Sequence, residues 1–301
     1  MVGCICCSCM AMAWASEEWG CGLAMFRSKT MAIHVPSMSR QPVVAPTGTQ
    51  WVRLAERVDV YVAAPEGRQV LGGVIVAGEI FGITAHVRDI CERLARAGYL
   101  VAAPDLHWRQ QRGTCLSYDA KGRKTGMRML RFLRRKEVIA DVAAVRAHLA
   151  TRLGAAKAMA IVGVSAGGHI AFLAATRLRF ALAVSIYGGW MLDGGIPLAE
   201  PTPPVADCAA LAANGCFFLG IAAGGRDRLI TAEQWLRLDA LLGAAGVEHE
   251  LIRYAGARHG FLCAERFATF HAEASADAWR RLLGALAARV AHADQPADGG
   301  A

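Results

Sequence analysis

Residues 158–178 read AMAIVGVSAGGHIAFLAATRL, and they decide how the rest of the chain is understood. The first third, 158–164, is a continuous apolar run of the kind that makes a strand buried on both faces. It runs into Gly163-Val164-Ser165-Ala166-Gly167, a Gly-x-Ser-x-Gly sequence, and a small-residue helical pattern follows. Strand, sharp turn and helix in that order form a nucleophile elbow, which holds a serine hydroxyl at the tip of a strained turn. The flanking positions must be side-chain-poor, or Cβ atoms would collide with the neighbouring strand and helix. Gly163, Gly167 and Gly168 meet that demand. A helix starting after Ser165 also directs unsatisfied N–H groups at any negative charge that develops there. The competing reading is a Gly-rich strand-to-helix turn that packs and does nothing more.

On either side of this stretch, strands and helices alternate. Residues 51–64 alternate as an antiparallel hairpin pair, with Pro65-Glu66-Gly67 as the turn. Residues 70–77 are a buried-type strand, and Thr84 caps a helix whose apolar stripe is Val87, Ile90, Leu94 and Ala95. Gly98 stops it, and the next strand covers 99–103. Residues 107–134 break the rhythm: polar, basic and rich in Gly and Arg, they read as a loop or small lid over the site, with a short helix at 126–134. Further helices are expected at 137–153, 231–242 and 274–291, and strands at 181–187, 216–223 and 248–254, with a proline-rich loop at 191–214. Such alternation predicts a mostly parallel sheet with helices on both faces. Residues 46–291 are read as one domain, residues 1–45 as a disordered extension or a mis-assigned start, and 292–301 as a disordered tail.

Composition narrows the function classes. A hydrophobic content of 54% is ample for a core, yet no apolar run approaches the ~18 residues of a membrane span. The net charge of +8 is concentrated in residues 121–136, which reads as a solvated basic face rather than a nucleic-acid surface; guidance of anionic substrates is the sharper alternative. Five of the ten cysteines crowd the first 21 residues, and the rest are scattered, which favours a reducing cytoplasm over a disulfide framework. The Cys4, Cys6, Cys7, Cys9 cluster has no second ligand pair at zinc-site spacing, so no metal is assigned to it.

Ligands of open α/β sheets gather at the carboxyl ends of the strands. Five such ends carry polar residues here: Glu79, Asp105 with Arg109, Ser165, Asp227 and His259. A serine needs an adjacent base, an imidazole can take and return its proton, and a carboxylate can fix the imidazole's tautomer. Ser165, Asp227 and His259 follow in that chain order. His169, one turn into the elbow helix, reads as a packed or solvent-facing side chain rather than a second base.

Over residues 50–290 the chain resembles the dienelactone hydrolase family, of the α/β-hydrolase fold. The resemblance rests on Gly78-Glu79-Ile80-Phe81-Gly82, on the loop from Pro104 to Gln110, on the elbow, on Gly225-Arg226-Asp227 and on Arg258-His259-Gly260-Phe261. It implies Ser165 as nucleophile, Asp227 and His259 as the rest of a triad, Glu79 beside the nucleophile, and the Ile80 and Ala166 N–H groups as an oxyanion hole. Arg109, with Trp108 beside it, would bind a substrate carboxylate.

Two departures stand out. The best-known members carry cysteine at the elbow where this chain has Ser165, which leaves open whether Glu79 activates the nucleophile or orders its loop. Cys263 stands where the family places a second carboxylate-binding arginine, and Arg266 lies three residues further on, so a two-arginine clamp is half present.

The expected activity is hydrolysis of a small carboxylic ester or lactone through an acyl-serine, with no metal or organic cofactor required, by a monomer or dimer that binds neither nucleic acid nor membrane. The alternatives are a non-catalytic binding protein on the same scaffold, or a peptidase or thioesterase.

Overall fold

In the computed structural model, residues 47–291 are described, apart from 56, 155, 156, 225, 226 and 228. The readings for residues 1–45 and 292–301 lie outside the described residues. Eight strands form one sheet in the order β1-β2-β4-β3-β5-β6-β7-β8. They are β1 (Thr47–Leu54), β2 (Val58–Pro65), β3 (Gly72–Ala77), β4 (Tyr99–Pro104), β5 (Met159–Val164), β6 (Leu182–Ile186), β7 (Phe217–Ala223) and β8 (His249–Tyr254). β1 pairs with β2, and β2 with β4, antiparallel; every other pairing is parallel. This is the mostly parallel sheet expected for an α/β-hydrolase fold.

Strand alternation divides the core in two. Ile75 and Ala77 face one side of the sheet, with α3 (Arg135–Leu153), α4 (Ala166–Ala175) and α6 (Ala232–Ala244). Val74 and Val76 face the other, with α1 (Ala85–Arg96) and α7 (Ala272–Leu286). Strands β3 to β6 are buried along their whole length because helices cover both faces, and so they read as unbroken apolar runs. Thr84 caps α1 through the Val87 N–H, and Thr231 and Gln234 form a reciprocal capping box on α6.

Two local expectations are corrected. The hairpin reverses between Leu54 and Val58, which pair with each other, and not at Pro65-Glu66-Gly67, which leads instead toward β3. Alternation continues through both arms, so the period alone did not locate the reversal. The helix expected at 126–134 is α2 (Ala120–Leu130), starting six residues earlier than read. Asp119 caps it by accepting the Gly122 N–H at 2.7 Å, and the glycines inside it hide its start from propensity. The proline-rich segment expected as a loop also holds short helical turns and α5 (Ala209–Ala213).

Candidate active site

The elbow forms because β5 ends directly against α4. Ser165 sits between them at φ 55° and ψ −121°, a strained conformation for a residue with a side chain. Its N–H is tied to the Ile186 carbonyl of β6 at 3.0 Å. A Cβ on Gly163 would lie 1.9 Å from the Gly167 carbonyl oxygen, and one on Gly167 would lie 2.0 Å from that of Ala77. The close approach of strand, turn and helix therefore requires glycine at both positions.

The structure brings three residues together from three strand ends. Ser165 Oγ lies 2.9 Å from His259 Nε2, and His259 Nδ1 lies 3.0 Å from Asp227 Oδ2. The Asp227 side chain is buried, and its other oxygen accepts the Leu229 N–H at 2.9 Å, which leaves Oδ2 aimed at the ring. The Tyr187 ring packs edge-on against the imidazole, with centroids 5.0 Å apart. Above them opens a cavity of about 440 Å³, whose lining includes Ile80, Phe81, Arg123, Met127, Ser165, Trp190, His259 and Arg266. Ala166 is the first residue of α4, and the first turn of a helix leaves N–H groups without an intrahelical acceptor. Among the described residues, no group of three or more His, Cys, Asp or Glu side chains is arranged to hold a metal ion.

Glu79 lies buried beneath this site. Arg266 Nη1 donates to its Oε1 at 3.4 Å, and its Oε2 has no hydrogen-bond partner. Burial pushes the Glu79 carboxyl above its ordinary range, opposed by the positive charge of Arg266 and by His259. No hydrogen bond joins Glu79 to the Ser165 hydroxyl among the described contacts; its bond goes to Arg266. Arg266, which the sequence reading left short of the site, reaches both Glu79 and the cavity wall.

Arg109 and Trp108 are placed elsewhere, which corrects their expected role against the substrate. Arg109 makes a two-pronged pair with Asp141 at 2.5 and 3.0 Å, Trp108 Nε1 donates to the same carboxylate at 3.1 Å, and neither residue lines the cavity. The physical reason is that the Asp141 side chain is only 5% exposed on α3, and a buried carboxylate holds whatever cation can reach it. Arg109→Ala is expected to cost about 2 kcal/mol of stability, since it strands that charge. It should leave the preference between acidic and neutral esters unchanged; denaturant midpoints and paired kcat/KM values check both. Asp105 at the same strand end is a loop organiser, accepting the His107 and Gly113 N–H groups at 3.0 and 2.8 Å.

His169 is fully buried, as one of its two sequence readings had it. Burial lowers its pKa to about 4, although the Leu198, Gly189 and Trp190 carbonyls face the ring and pull the other way. Neither ring nitrogen reaches them with hydrogen-bond geometry, so desolvation dominates. His86 and His107 are likewise held near 4 by burial. The folded ring stays neutral where the unfolded one, with a pKa near 6.5, takes a proton. Stability is therefore lost as pH falls from about 6.5 toward 4 and is untouched above that window. At pH 5, His169 alone should account for about 2 kcal/mol. The loss of unfolding free energy between pH 7 and 5, measured by urea titration, should be smaller in His169→Gln by about that amount.

Several cavity residues were not singled out beforehand: Trp190, Arg123, Met127 and Leu229. Trp190 follows the carboxyl end of β6, so the strand-end rule already pointed to it. Arg123 and Met127 come from α2, whose placement over the site depends on packing. A Cβ on Gly126 would lie 2.6 Å from the Ile80 carbonyl oxygen, so this glycine lets α2 rest on the Glu79–Ile80 loop.

Comparison with known proteins identifies the family. The dienelactone hydrolase family profile matches residues 58–289. A relative from Synechocystis sp. that carries the name carboxymethylenebutenolidase is 31% identical over 226 residues, covering 74% of this chain and 88% of its own. One of the same name from Yersinia pestis is 37% identical over 237 residues, covering 76% and 82%. The crystal structure of a protein described as a dienelactone hydrolase from Klebsiella pneumoniae superposes with a TM-score of 0.69 at 31% identity, covering 80% of this chain and 98% of that one. The chain thus belongs to the dienelactone hydrolase family, carboxylic ester hydrolases of the α/β-hydrolase superfamily.

Proposed function

We propose that the protein hydrolyses a small carboxylic ester or lactone through an acyl-serine intermediate. The observation that carries this is the unbroken chain of contacts from Ser165 Oγ through His259 to Asp227, opening into a cavity of small-molecule size. A serine hydroxyl is a weak nucleophile, and the imidazole within 2.9 Å can take its proton as it attacks the carbonyl carbon. Asp227 holds the Nδ1–H tautomer and stabilises the imidazolium. The oxyanion would lie against the Ile80 and Ala166 N–H groups, each such donor being worth about 3 kcal/mol in the transition state. His259 returns the proton to the departing oxygen, which stays attached to the acyl chain in a lactone and leaves as an alcohol in an open ester. Water activated by the same imidazole then frees the acid.

In this reading Glu79 fixes the guanidinium of Arg266 at the rim rather than activating Ser165, in keeping with the bond it makes. The relatives' name supports a lactone as the natural substrate. No helix among the described residues is long and apolar enough to cross a membrane. Cys91, Cys115, Cys208, Cys216 and Cys263 are all free thiols, which supports a reducing, cytoplasmic setting.

The test is a rapid burst of 4-nitrophenol from a 4-nitrophenyl ester, with mass spectrometry locating the acyl group on the peptide that holds Ser165. A burst with the adduct at Ser165 supports the mechanism. An adduct at another residue, or turnover undiminished in Ser165→Ala, overturns it.

A further inference from the structure

We infer that Tyr187 is a positioning residue for the hydrolytic step: its ring holds the His259 imidazole in the orientation that keeps Nδ1 on Asp227 and Nε2 on Ser165. This rests on the hydrolase reading above and adds a fourth side chain to the three that carry it. The need for such a support comes from the geometry. Asp227 fixes the imidazole at one atom, through a contact of 3.0 Å, and a ring held at one point can still swing about it. His259 also lines the cavity, and its side chain is 22% exposed, so part of the ring meets substrate or water rather than packed protein. Among the described residues, the aromatic ring packed against it is that of Tyr187, with centroids 5.0 Å apart and planes at 64° to each other.

Tyr187 reaches that place by leaving the pattern of its own strand. In β6, Leu182, Val184 and Ile186 face the α1 and α7 side of the sheet, and Ala183 faces the other. Alternation would send residue 187 to the side of Ala183. Instead Tyr187 takes φ 42°, in the left-handed region where a bulky residue is an outlier, and its ring joins the side of Ile186. The turn is tied down, because the Tyr187 N–H donates to the Ile221 carbonyl of β7 at 2.6 Å. The ring is fully buried, and Phe261 packs edge-on against it with centroids 5.2 Å apart. Phe261 lies two residues after His259, so one short segment lays both its rings on Tyr187. Phe261 packs in turn on Tyr254, whose hydroxyl donates to Asp277 of α7 at 2.7 Å. The imidazole is thereby backed by a chain of rings anchored in a helix. Strained backbone clusters at sites where it serves the chemistry, and here it aims a ring at the general base. The Tyr187 hydroxyl has no hydrogen-bond partner among the described residues, so what the residue contributes is the shape of its ring.

The experiment measures kcat and KM for 4-nitrophenyl butyrate in Tyr187→Phe, in Tyr187→Leu and, as a matched loss of buried aromatic packing, in Phe180→Leu. Phe180 is buried and precedes β6, at the opposite end of that strand from Tyr187. Tyr187→Leu is expected to lower kcat by about 10- to 100-fold, the scale on which small misplacements of a reacting group act, with KM changed by less than about twofold. Tyr187→Phe keeps the ring and should keep most of the wild-type kcat. Phe180→Leu should lose thermal stability and retain its kcat. Proton NMR gives a readout that loss of packing alone does not move. The far-downfield Nδ1 proton between His259 and Asp227 should be seen in the wild type and in Tyr187→Phe, and should broaden away in Tyr187→Leu.

A kcat loss confined to Tyr187→Leu, with that resonance lost, supports the inference. Wild-type kcat in a folded Tyr187→Leu, or a resonance that persists there unchanged, overturns it and leaves the hydrolase reading standing. An equal loss in Tyr187→Phe also overturns it, by putting the effect on the hydroxyl, as does an equal loss in Phe180→Leu, which would reduce it to general stability. If Tyr187→Leu does not fold, Phe261→Leu takes its place: it removes the ring behind Tyr187, kcat should fall with KM held, and an unchanged kcat overturns the inference. Absence of ester turnover in the wild-type protein would instead remove the hydrolase reading, and this inference with it.

Discussion

Ser165→Ala is expected to lower kcat for an aryl ester by roughly 10⁵- to 10⁶-fold, with the fold intact. The fold should tolerate the change because the turn is made by backbone: the Ser165 N–H bonds to Ile186, and its carbonyl accepts the Gly168 N–H at 2.8 Å. Alanine has the same Cβ and no larger reach, so the strained φ of 55° is no worse occupied than before. What disappears is the only hydroxyl within reach of the His259 ring among the described residues. Groups that act as a unit are non-additive when removed, so Ser165→Ala/His259→Ala should be no slower than the worse single variant. Residual activity would come from the Ile80 and Ala166 N–H donors acting on a carbonyl attacked directly by water. Steady-state rates with matched thermal melts check the pair of claims; a double variant slower by the product of both losses would mean that the two side chains act separately.

Gly167→Ala carries the largest expected effect on stability. Its new Cβ would meet the Ala77 carbonyl oxygen at 2.0 Å and the Gly78 carbonyl oxygen at 2.6 Å, and both belong to backbone that cannot swing aside. Strand β3 is paired on both edges, to β4 and β5, so relief would have to come from lifting α4 off the sheet. A loss of about 3 kcal/mol or more is expected. For a domain of this size that is about 10 °C in melting temperature. Gly243→Ala is the internal comparison. It lies in α6 with nothing within 4 Å of the added atom, and it should gain up to about 1 kcal/mol from helix propensity. If both substitutions behaved alike, the close approach at the elbow would be no constraint.

Much of this protein can be read along the chain because the information is local and repeated. The unbroken apolar runs of β3 to β6 and the caps at Thr84 and Thr231 each announce an element through a period or a hydrogen-bonding side chain. The three catalytic candidates end up together because each follows a strand of one parallel sheet, and parallel strands carry their carboxyl ends to one rim. Three things were not legible in that way. Which carboxylate takes which arginine depends on what α3 and the segment after His259 bring within reach: Asp141 takes Arg109 away from the substrate, and Glu79 draws Arg266 in. The position of α2 over the cavity depends on Gly126 meeting Ile80, a contact between residues 46 apart in the chain. The burial of His169 depends on the return of the 188–198 segment across α4. Periodicity and capping are properties of neighbours in sequence, so the chain alone determined most of the elements, their order and the rim at which Ser165, Asp227 and His259 meet. Ion-pair choice and the shape of the cavity are settled by distances between segments that meet only after the sheet has formed, and those the tertiary structure decided.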